Sequence, residues 1–215
     1  MDKRFLLILT ALAVLFGGIF WFNKSKAPAP GTGTNAKPSS HVLGNNTKGV
    51  TLVEYGDYQC PACSQFAPIV NEIKKTYNDQ ILFRFANFPL VQIHPNAMIS
   101  ARAAEAAALQ GKFWEMHDIL YQEQQTWSTA SSPKQYFDQY AKSLNLDIAK
   151  FDKDMASSAV LGTIDADTAE VQALGGDSTP TFVINGKRLE KNPNSVEEFK
   201  KIIDQAIKDA AKNKQ

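Results

Sequence analysis

The fold of this chain is decided by residues 50–63, which read VTLVEYGDYQCPAC. The first part of this stretch, Val50 to Tyr55, is rich in the β-branched and aromatic residues typical of strands. From Cys63 onward the apolar residues recur at steps of three and four, which predicts a helix. Cys60 is therefore expected where a strand ends and a helix begins. Pro61 falls in the first helical turn, where the missing N–H costs nothing.

Cys60 and Cys63 are the only cysteines among the 215 residues. A secreted domain that uses cysteines for stability usually carries several pairs scattered through its loops, whereas one tight pair can close a small disulfide and pass it on. Unpaired N–H groups and the helix dipole at a helix start favour the thiolate of Cys60. The thiolate is the species that attacks or leaves in disulfide exchange. Cys63, one turn further in, is expected to be the less exposed, resolving thiol.

Two other interpretations of the pair stay open, namely an unreactive structural pair and half of a zinc site. Zinc would need two more ligands, and His41, His94 and His117 show no paired spacing. We interpret His94 and His117 as structural side chains. The sequence therefore favours redox chemistry at the cysteines, and we predict no metal site.

Glu54 stands six residues before Cys60, in a run whose neighbours are apolar. A carboxyl buried there would have a raised pKa and could accept or donate the proton that Cys63 exchanges. The alternative is an ordinary glutamate on an edge strand. Glu54 is thus a candidate catalytic residue that depends on its strand being central.

Thr179 and Pro180 stand just before a strand-like run, Thr181 to Ile184, where a trans proline would be awkward. A cis bond would expose the backbone of Thr179 to an incoming extended peptide. Only about 5–6% of X-Pro bonds are cis in folded proteins, so an ordinary trans bond is the alternative. The two residues are candidate substrate-binding residues.

The order of the elements along the chain predicts an α/β domain. A strand, a helix and a second strand at Ile81 to Ala86 come first, and helical signals then dominate residues 96–174. Asn185-Gly186 is a strong hairpin signal, and Ser195 with Glu198 forms a capping box before the last helix. A helix that connects two strands is how a parallel crossover joins a mixed sheet. We therefore predict a central mixed sheet with a helical insertion.

The N-terminal part differs in composition from the rest. Residues 5–22 carry no charge and would reach about 27 Å as a helix, at the short end of a membrane span. Residues 1–26 are therefore predicted to be a membrane anchor, with a signal peptide as the alternative. Residues 27–44 are rich in Pro, Gly, Thr and Asn and are predicted to be a flexible linker. The catalytic domain, residues 45–215, would then lie outside the cytoplasm of a single-pass cell-membrane protein.

Composition excludes one class of function. The 44% hydrophobic content suffices for a core without disulfides. Of the 23 basic and 22 acidic residues, residues 1–48 hold six and one, which leaves 17 and 21 for the remainder. A mildly acidic domain without a basic stripe is a poor nucleic-acid binder. We therefore expect no nucleic-acid partner.

Several motifs together resemble the DsbA-like branch of the thioredoxin superfamily. They are YGDYQCPAC at 55–63, Pro68, NFPL at 87–90, HP at 94–95, GKFW at 111–114 and TPTF at 179–182, and the similarity covers roughly residues 42–210. The resemblance implies a thioredoxin fold with a helical insertion, in which Cys60 is the nucleophile and Cys63 the resolving cysteine. It further implies that Pro180 is a cis-proline, that Thr179 contacts peptide and that Glu54 is the buried acid.

By this resemblance the protein is expected to be a bacterial enzyme, a thiol–disulfide oxidoreductase that introduces disulfides into exported cysteine-containing proteins. A quinone-linked membrane protein would recycle it, and no organic cofactor is implied. A reductase or isomerase of the same fold stays open, because the sequence does not give the relative stability of dithiol and disulfide. A tethered peptide-binding or chaperone module is a third alternative. Ala62 stands where the best-studied members of this branch carry histidine, so one stabiliser of the thiolate is missing.

Overall fold

The computed structural model describes residues 36–213, which contain five strands and eight helices. The strands are β1 (His41–Leu43), β2 (Thr51–Gly56), β3 (Leu82–Asn87), β4 (Thr181–Ile184) and β5 (Lys187–Arg188). The helices are α1 (Pro61–Tyr77), α2 (Ala97–Ala108), α3 (Phe113–Gln122), α4 (Gln124–Trp127), α5 (Lys134–Ser143), α6 (Ile148–Met155), α7 (Ser158–Ala173) and α8 (Val196–Lys212).

The strands form one mixed sheet in the order β1-β3-β2-β4-β5. β2 and β3 are parallel and are joined through α1, while the other neighbouring pairs are antiparallel. β2 lies between β3 and β4, so every residue from Leu52 to Gly56 is buried. The predicted α/β domain with a mixed sheet is confirmed, and the central position of β2 puts Glu54 inside the domain rather than on an edge strand.

Helices cover the sheet on opposite faces. One core cluster joins Leu52 of the sheet with Phe199 of α8 and with apolar residues of α1. A second cluster, on the other face, joins Tyr55 with Val171 of α7. Successive side chains of a strand point to opposite faces, so Glu54 shares the face of Leu52 and points towards the α1 side.

The helical insertion runs from α2 to α7, that is, from Ala97 to Ala173, as predicted for residues 96–174. Its centre is α2, which contacts α3, α5, α6 and α7. The buried alanines of α2 are Ala97, Ala101, Ala103, Ala104, Ala106 and Ala107. Such small side chains allow neighbouring helices to approach closely, so the insertion is a tightly packed bundle beside the sheet.

Two local predictions near the C-terminus are confirmed. Asn185 and Gly186 have φ values of 49° and 78° and connect β4 to β5, as a tight hairpin of this type requires. The hydroxyl of Ser195 accepts a hydrogen bond from the N–H of Glu198 at 3.2 Å. The carboxylate of Glu198 accepts in turn from the N–H of Asn194 at 2.8 Å, so the return bond reaches the residue before the cap.

The domain includes residues that the sequence assigned to the linker over 27–44. His41 to Leu43 form β1 and pair antiparallel with β3. The N–H of Ser39 donates to the carboxylate of Asp167 at 2.7 Å, which ties the segment to α7. A strand of three residues is too short to show an alternating apolar and polar pattern in the sequence. Only its hydrogen bonds to β3 identify it as a strand. The domain therefore begins before residue 45, the start that the sequence predicts.

The predicted location in the membrane is corrected. A membrane-spanning helix needs about 20 consecutive apolar residues. No helix within residues 36–213 is long and apolar enough to cross a membrane. The predicted anchor over residues 1–26 lies outside the described residues. The assignment as a single-pass cell-membrane protein with an extracytoplasmic catalytic domain is therefore unsupported, and we withdraw it.

Candidate active site

The chain turns sharply between β2 and α1, and this turn presents Cys60. The N–H of Cys60 donates to the carbonyl oxygen of Asp57 at 3.1 Å, which closes the turn. Cys60 is the N-cap of α1, with extended backbone angles of φ −67° and ψ 121°, and Pro61 follows in the first helical turn. The sulfur of Cys60 therefore lies beside the free N–H groups of a helix start, as the sequence predicted.

The two thiols differ strongly in acidity. A hydrogen bond from the thiol of Cys63 is the main cause that lowers the pKa of Cys60 to about 5. Burial opposes this effect, while the side chain of Thr179 and, to a smaller extent, the backbone N–H groups of Cys63 and Ala62 add to it. Cys63 is fully buried, and this burial raises its pKa well above the ordinary value. At neutral pH the pair is thus one thiolate, Cys60, supported by one neutral thiol.

The loop before β4 lies against Cys60. The Thr179–Pro180 peptide bond is cis. The carbonyl oxygen of Thr179 lies 3.5 Å from the sulfur of Cys60, although the two residues are 119 positions apart in the chain. The side-chain amide of Asn192 donates to the carbonyl oxygen of Pro180 at 2.6 Å and so restrains this loop. The structure thus brings the loop of both predicted substrate-binding residues against Cys60.

Glu54 is buried in β2, with 2% of its surface exposed. Its Oε1 atom has no hydrogen-bond partner among residues 36–213. Burial raises the pKa of Glu54 to about 7, and the nearby Lys74 opposes the shift. The charge of Glu54 also raises the pKa of Cys63, so the two groups interact electrostatically. A carboxyl that titrates near neutral pH is therefore placed within electrostatic reach of the buried thiol.

A carboxylate that the sequence did not single out braces the turn. Asp57 is buried and accepts hydrogen bonds from the N–H of Gln59 at 2.8 Å and from the N–H of Leu90 at 3.0 Å. Nδ1 of His94 lies 2.6 Å from the same carboxylate. His94 is therefore structural, as interpreted, but it acts on the turn that carries Cys60. No spacing in the sequence shows that the loop after β3 returns to this turn.

The helical insertion also holds the turn. The side-chain nitrogen of Gln124 donates to the carbonyl oxygens of Tyr58 at 2.8 Å and of Cys60 at 2.9 Å. The hydroxyl of Tyr58 is hydrogen-bonded to Nδ1 of His117, at 3.1 Å. Gln59 in turn donates to the carbonyl oxygen of Ser128 at 2.7 Å. The sequence offered no signal for Gln124, because a glutamine among several others on a helix is normally solvent-exposed.

Apolar side chains are exposed in the loop that is tied to the Cys60 turn. Val91 and Ile93 are 46% and 68% exposed in the loop that Asp57 and His94 tie to the turn. Beside this loop is a groove of about 540 Å³, lined in part by Gly176 and other residues that precede the cis-proline. Large apolar side chains exposed around a reactive centre are typical of a surface that meets another protein.

Within residues 36–213, no group of three or more His, Cys, Asp or Glu side chains is arranged to hold a metal ion. Cys60 and Cys63 are free thiols in this structure. The arrangement is suited to sulfur chemistry, with an acidic outer thiol, a buried inner thiol and a neighbouring acid.

Comparison with known proteins agrees with this geometry. A family model described as thioredoxin matches residues 36–205. BdbD from Bacillus subtilis, in its oxidised form, is 25% identical with a TM-score of 0.69, over 80% of this chain and 97% of that one. Alpha-DsbA1 from Wolbachia pipientis has a TM-score of 0.70 over 83% of this chain and 97% of that one, and at 19% identity it shows the fold alone.

Among curated proteins, the chain is similar to the Na(+)/H(+) antiporter NhaA 1 of Mycolicibacterium gilvum. The two are 40% identical over 152 residues, which is 69% of this chain and 24% of the antiporter. This chain therefore spans about a quarter of the length of that relative. The name describes the whole of that longer protein, so it assigns no transport to this chain. The family match covers most of this chain, so the chain belongs to the thioredoxin family, and BdbD and alpha-DsbA1 are solved proteins that share its fold.

Proposed function

We propose that this protein is a thiol–disulfide oxidoreductase that forms disulfide bonds in cysteine-containing proteins through Cys60 and Cys63. The observation that carries the proposal is the acidic thiol of Cys60, with a pKa of about 5, one helical turn before a buried thiol of high pKa. A thiolate that is stable in the reduced enzyme makes the reduced form favourable. The disulfide form then takes electrons readily from a substrate.

The exchange begins with a disulfide between Cys60 and Cys63. A substrate thiolate attacks the sulfur of Cys60, the Cys60–Cys63 bond breaks, and Cys63 leaves with the electron pair. A second substrate thiolate then attacks the substrate sulfur of the mixed disulfide, and Cys60 leaves as a thiolate. The substrate loses two electrons and gains a disulfide, and the enzyme becomes the dithiol. The low pKa of Cys60 makes it a good leaving group in this last step.

Glu54 is proposed as the acid and base of this cycle. Cys63 has a high pKa, so it must take up a proton when it leaves the disulfide and lose it when the disulfide forms again. Glu54 has a pKa of about 7 and is coupled to Cys63, so it can hold that proton in either direction near neutral pH. The buried hydroxyl of Tyr121 is not suited to this task, because burial raises its pKa well above the ordinary value.

Thr179 and Pro180 are proposed to bind the substrate peptide. The carbonyl oxygen of Thr179 lies 3.5 Å from the sulfur of Cys60, on a loop whose backbone can meet a bound peptide. An extended peptide whose cysteine reaches Cys60 would pass along this loop and pair with its backbone groups. The exposed Val91 and Ile93 would contact apolar residues of the same substrate.

Reoxidation of the dithiol needs an electron acceptor. The family resemblance suggests a quinone-linked membrane protein as acceptor and exported proteins as substrates, and both assignments are part of the proposal. A reductase or isomerase remains the second candidate, and Ala62 favours it because this position lacks the histidine that stabilises the thiolate elsewhere in the branch. The pKa of about 5 for Cys60 lies between the values of about 7 for thioredoxin and about 3.5 for DsbA.

The test uses the oxidised full chain and a reduced, unfolded protein substrate whose activity returns only with its disulfides. Stoichiometric oxidised protein should restore substrate activity, and Cys60→Ser should restore none because it lacks the attacked sulfur. Ser64→Ala, a change of an ordinary helical residue in the same turn, serves as the control and should behave like the natural chain. If Cys60→Ser is as effective as the natural chain, the protein is a peptide-binding module and the enzyme proposal is wrong.

A further inference from the structure

One buried amide of the helical insertion contacts the backbone of the nucleophile. Gln124 opens the short helix α4 and is only 2% exposed. Its Nε2 donates both of its protons, one to the carbonyl oxygen of Tyr58 at 2.8 Å and one to that of Cys60 at 2.9 Å. Gln124 is 64 residues from Cys60 in the chain, so the contact exists only because the insertion packs against the turn.

The two carbonyl groups lie on either side of the cysteine's own N–H. The peptide of Tyr58 belongs to the turn that follows β2, and the carbonyl of Cys60 also accepts the first hydrogen bond of α1, from the N–H of Ser64 at 3.2 Å. Holding both carbonyls restrains the backbone from Tyr58 to Cys60, and with it the N-cap angles of Cys60. The position of its sulfur relative to α1 depends on those angles, because the cap residue is the hinge between turn and helix.

The N–H groups at the start of α1 act on that sulfur. The backbone N–H groups of Ala62 and Cys63, in the first turn of α1, lower the pKa of the Cys60 thiol. Hydrogen bonds weaken steeply when donor and acceptor move out of line. If the turn could rotate, the sulfur of Cys60 would move out of line with these N–H groups. The thiolate would then lose part of its stabilisation, although none of the residues around the sulfur had been changed.

We propose that Gln124 is a positioning residue that holds Cys60 in register with the start of α1, so that the helical insertion sets the reactivity of the cysteine pair. The inference rests on the proposed function of Cys60 as the nucleophile. Gln124 touches neither sulfur, and it acts only through the backbone of Tyr58 and Cys60. The insertion thereby does more than cover the sheet, since it contributes to the chemistry.

The first test compares Gln124→Met with a matched control. Methionine has a similar volume but no N–H donor, so both hydrogen bonds are lost. Gln125→Met makes the same change at the neighbouring, exposed glutamine. The pKa of the Cys60 thiol is measured from thiolate absorbance against pH and from the pH dependence of alkylation. Gln124→Met should raise it by about half a unit, which is about a threefold loss of thiolate at low pH, and Gln125→Met should leave it unchanged.

The reduction potential is measured on the same variants, because a residue with only a packing function would lower stability without moving either quantity. Gln124→Met should become harder to reduce, in step with the smaller thiolate fraction. A folded Gln124→Met protein with the thiol pKa and potential of the natural chain would overturn the inference. The natural chain is measured first. If its own Cys60 thiol is not acidic, the proposed function fails and this inference fails with it; if the thiol is acidic and Gln124→Met leaves it so, only the inference fails.

A second measurement needs no variant and therefore covers the case in which Gln124→Met does not fold. The side-chain amide of Gln124 is followed by nuclear magnetic resonance in the reduced natural chain while the pH is raised from 4 to 7. The chemical shifts of its amide protons should titrate with the same midpoint as the Cys60 thiol. The reason is that the amide donates a hydrogen bond to the carbonyl oxygen of Cys60, the residue that gains the charge. A flat titration at Gln124, with Cys60 titrating normally, would contradict the inference.

Discussion

Cys60 and Cys63 have the same side chain, and their surroundings give the two thiols opposite acidities. Cys60 stands at the open end of α1 and receives hydrogen bonds from Cys63 and from backbone N–H groups. Cys63 is one turn inside the helix, where burial disfavours its charge. Glu54 is buried on the same side and titrates near neutral pH. Burial and the start of a helix thus give the two thiols and the acid three different pKa values.

Replacing Cys63 tests how its thiol supports Cys60. In Cys63→Ala the main hydrogen-bond donor to Cys60 is lost, so the pKa of Cys60 should rise from about 5 towards the ordinary thiol value. Cys63→Ser is the control, because a hydroxyl can still donate, and its pKa should stay closer to that of the natural chain. Alkylation rates against pH measure both. Equal pKa values in the alanine and serine variants would show that the hydrogen bond from residue 63 is not the cause.

Burial of Glu54 predicts how stability depends on pH. Its pKa is about 4.5 in the unfolded chain and about 7 in the folded one, so the folded state holds an extra proton between these values. The contribution of Glu54 to the free energy of unfolding is fully present below pH 4.5. It is lost as the pH rises through 7, by about 3 kcal/mol in all. Urea unfolding of the reduced protein from pH 4 to 8 should show this loss.

The matched variant for this prediction is Glu54→Gln, which keeps the shape of the side chain and cannot ionise. It should abolish the loss of stability between pH 4.5 and 7, and it should be the more stable protein at pH 8. Glu197→Gln, at the exposed start of α8, is the control and should leave the pH profile as it is. A Glu54→Gln profile that parallels the natural chain would contradict the raised pKa.

At the scale of elements, the insertion and the sheet are connected by buried polar groups as well as by apolar packing. Asp167 of α7 is completely buried and accepts hydrogen bonds from the N–H groups of Ser39 and Asn87, at 2.7 and 2.9 Å. It also pairs with Arg84 of β3 at 3.0 Å. One side chain of the insertion therefore holds the segment before β1, the middle of β3 and the end of β3 together.

Removing this carboxylate should weaken the whole domain. Asp167→Ala leaves two buried N–H groups unpaired and removes a buried partner of Arg84, so we expect a loss of about 3 kcal/mol in the free energy of unfolding. Glu170→Ala removes the more exposed partner of the same arginine and should cost at most about 1 kcal/mol. Urea unfolding is followed by circular dichroism and tryptophan fluorescence. A loss from Asp167→Ala no larger than that from Glu170→Ala would contradict this account.

At the scale of the whole molecule, the features predictable from the sequence are those that are local in the chain. The cysteine pair, the hairpin at Asn185-Gly186 and the cap at Ser195 each depend on residues a few positions apart. The sequence carries no signal for β1 or for the long-range contacts of Asp57 and Gln124. Each of them requires a partner 30 or more residues away, which only the folded chain brings near. The candidate site residues carry a signal in the sequence, whereas the side chains that hold their turn in place do not.

The reduction potential of the full chain tests the central claim, that Cys60 and Cys63 form an oxidising pair. The protein is equilibrated with a series of glutathione buffers, and the fraction of reduced Cys60 and Cys63 is read by alkylation and mass. A potential well above that of glutathione, more positive than about −200 mV, is predicted from the stabilised thiolate of Cys60. A value near that of thioredoxin, about −270 mV, would contradict it, and the protein would then be a reductase.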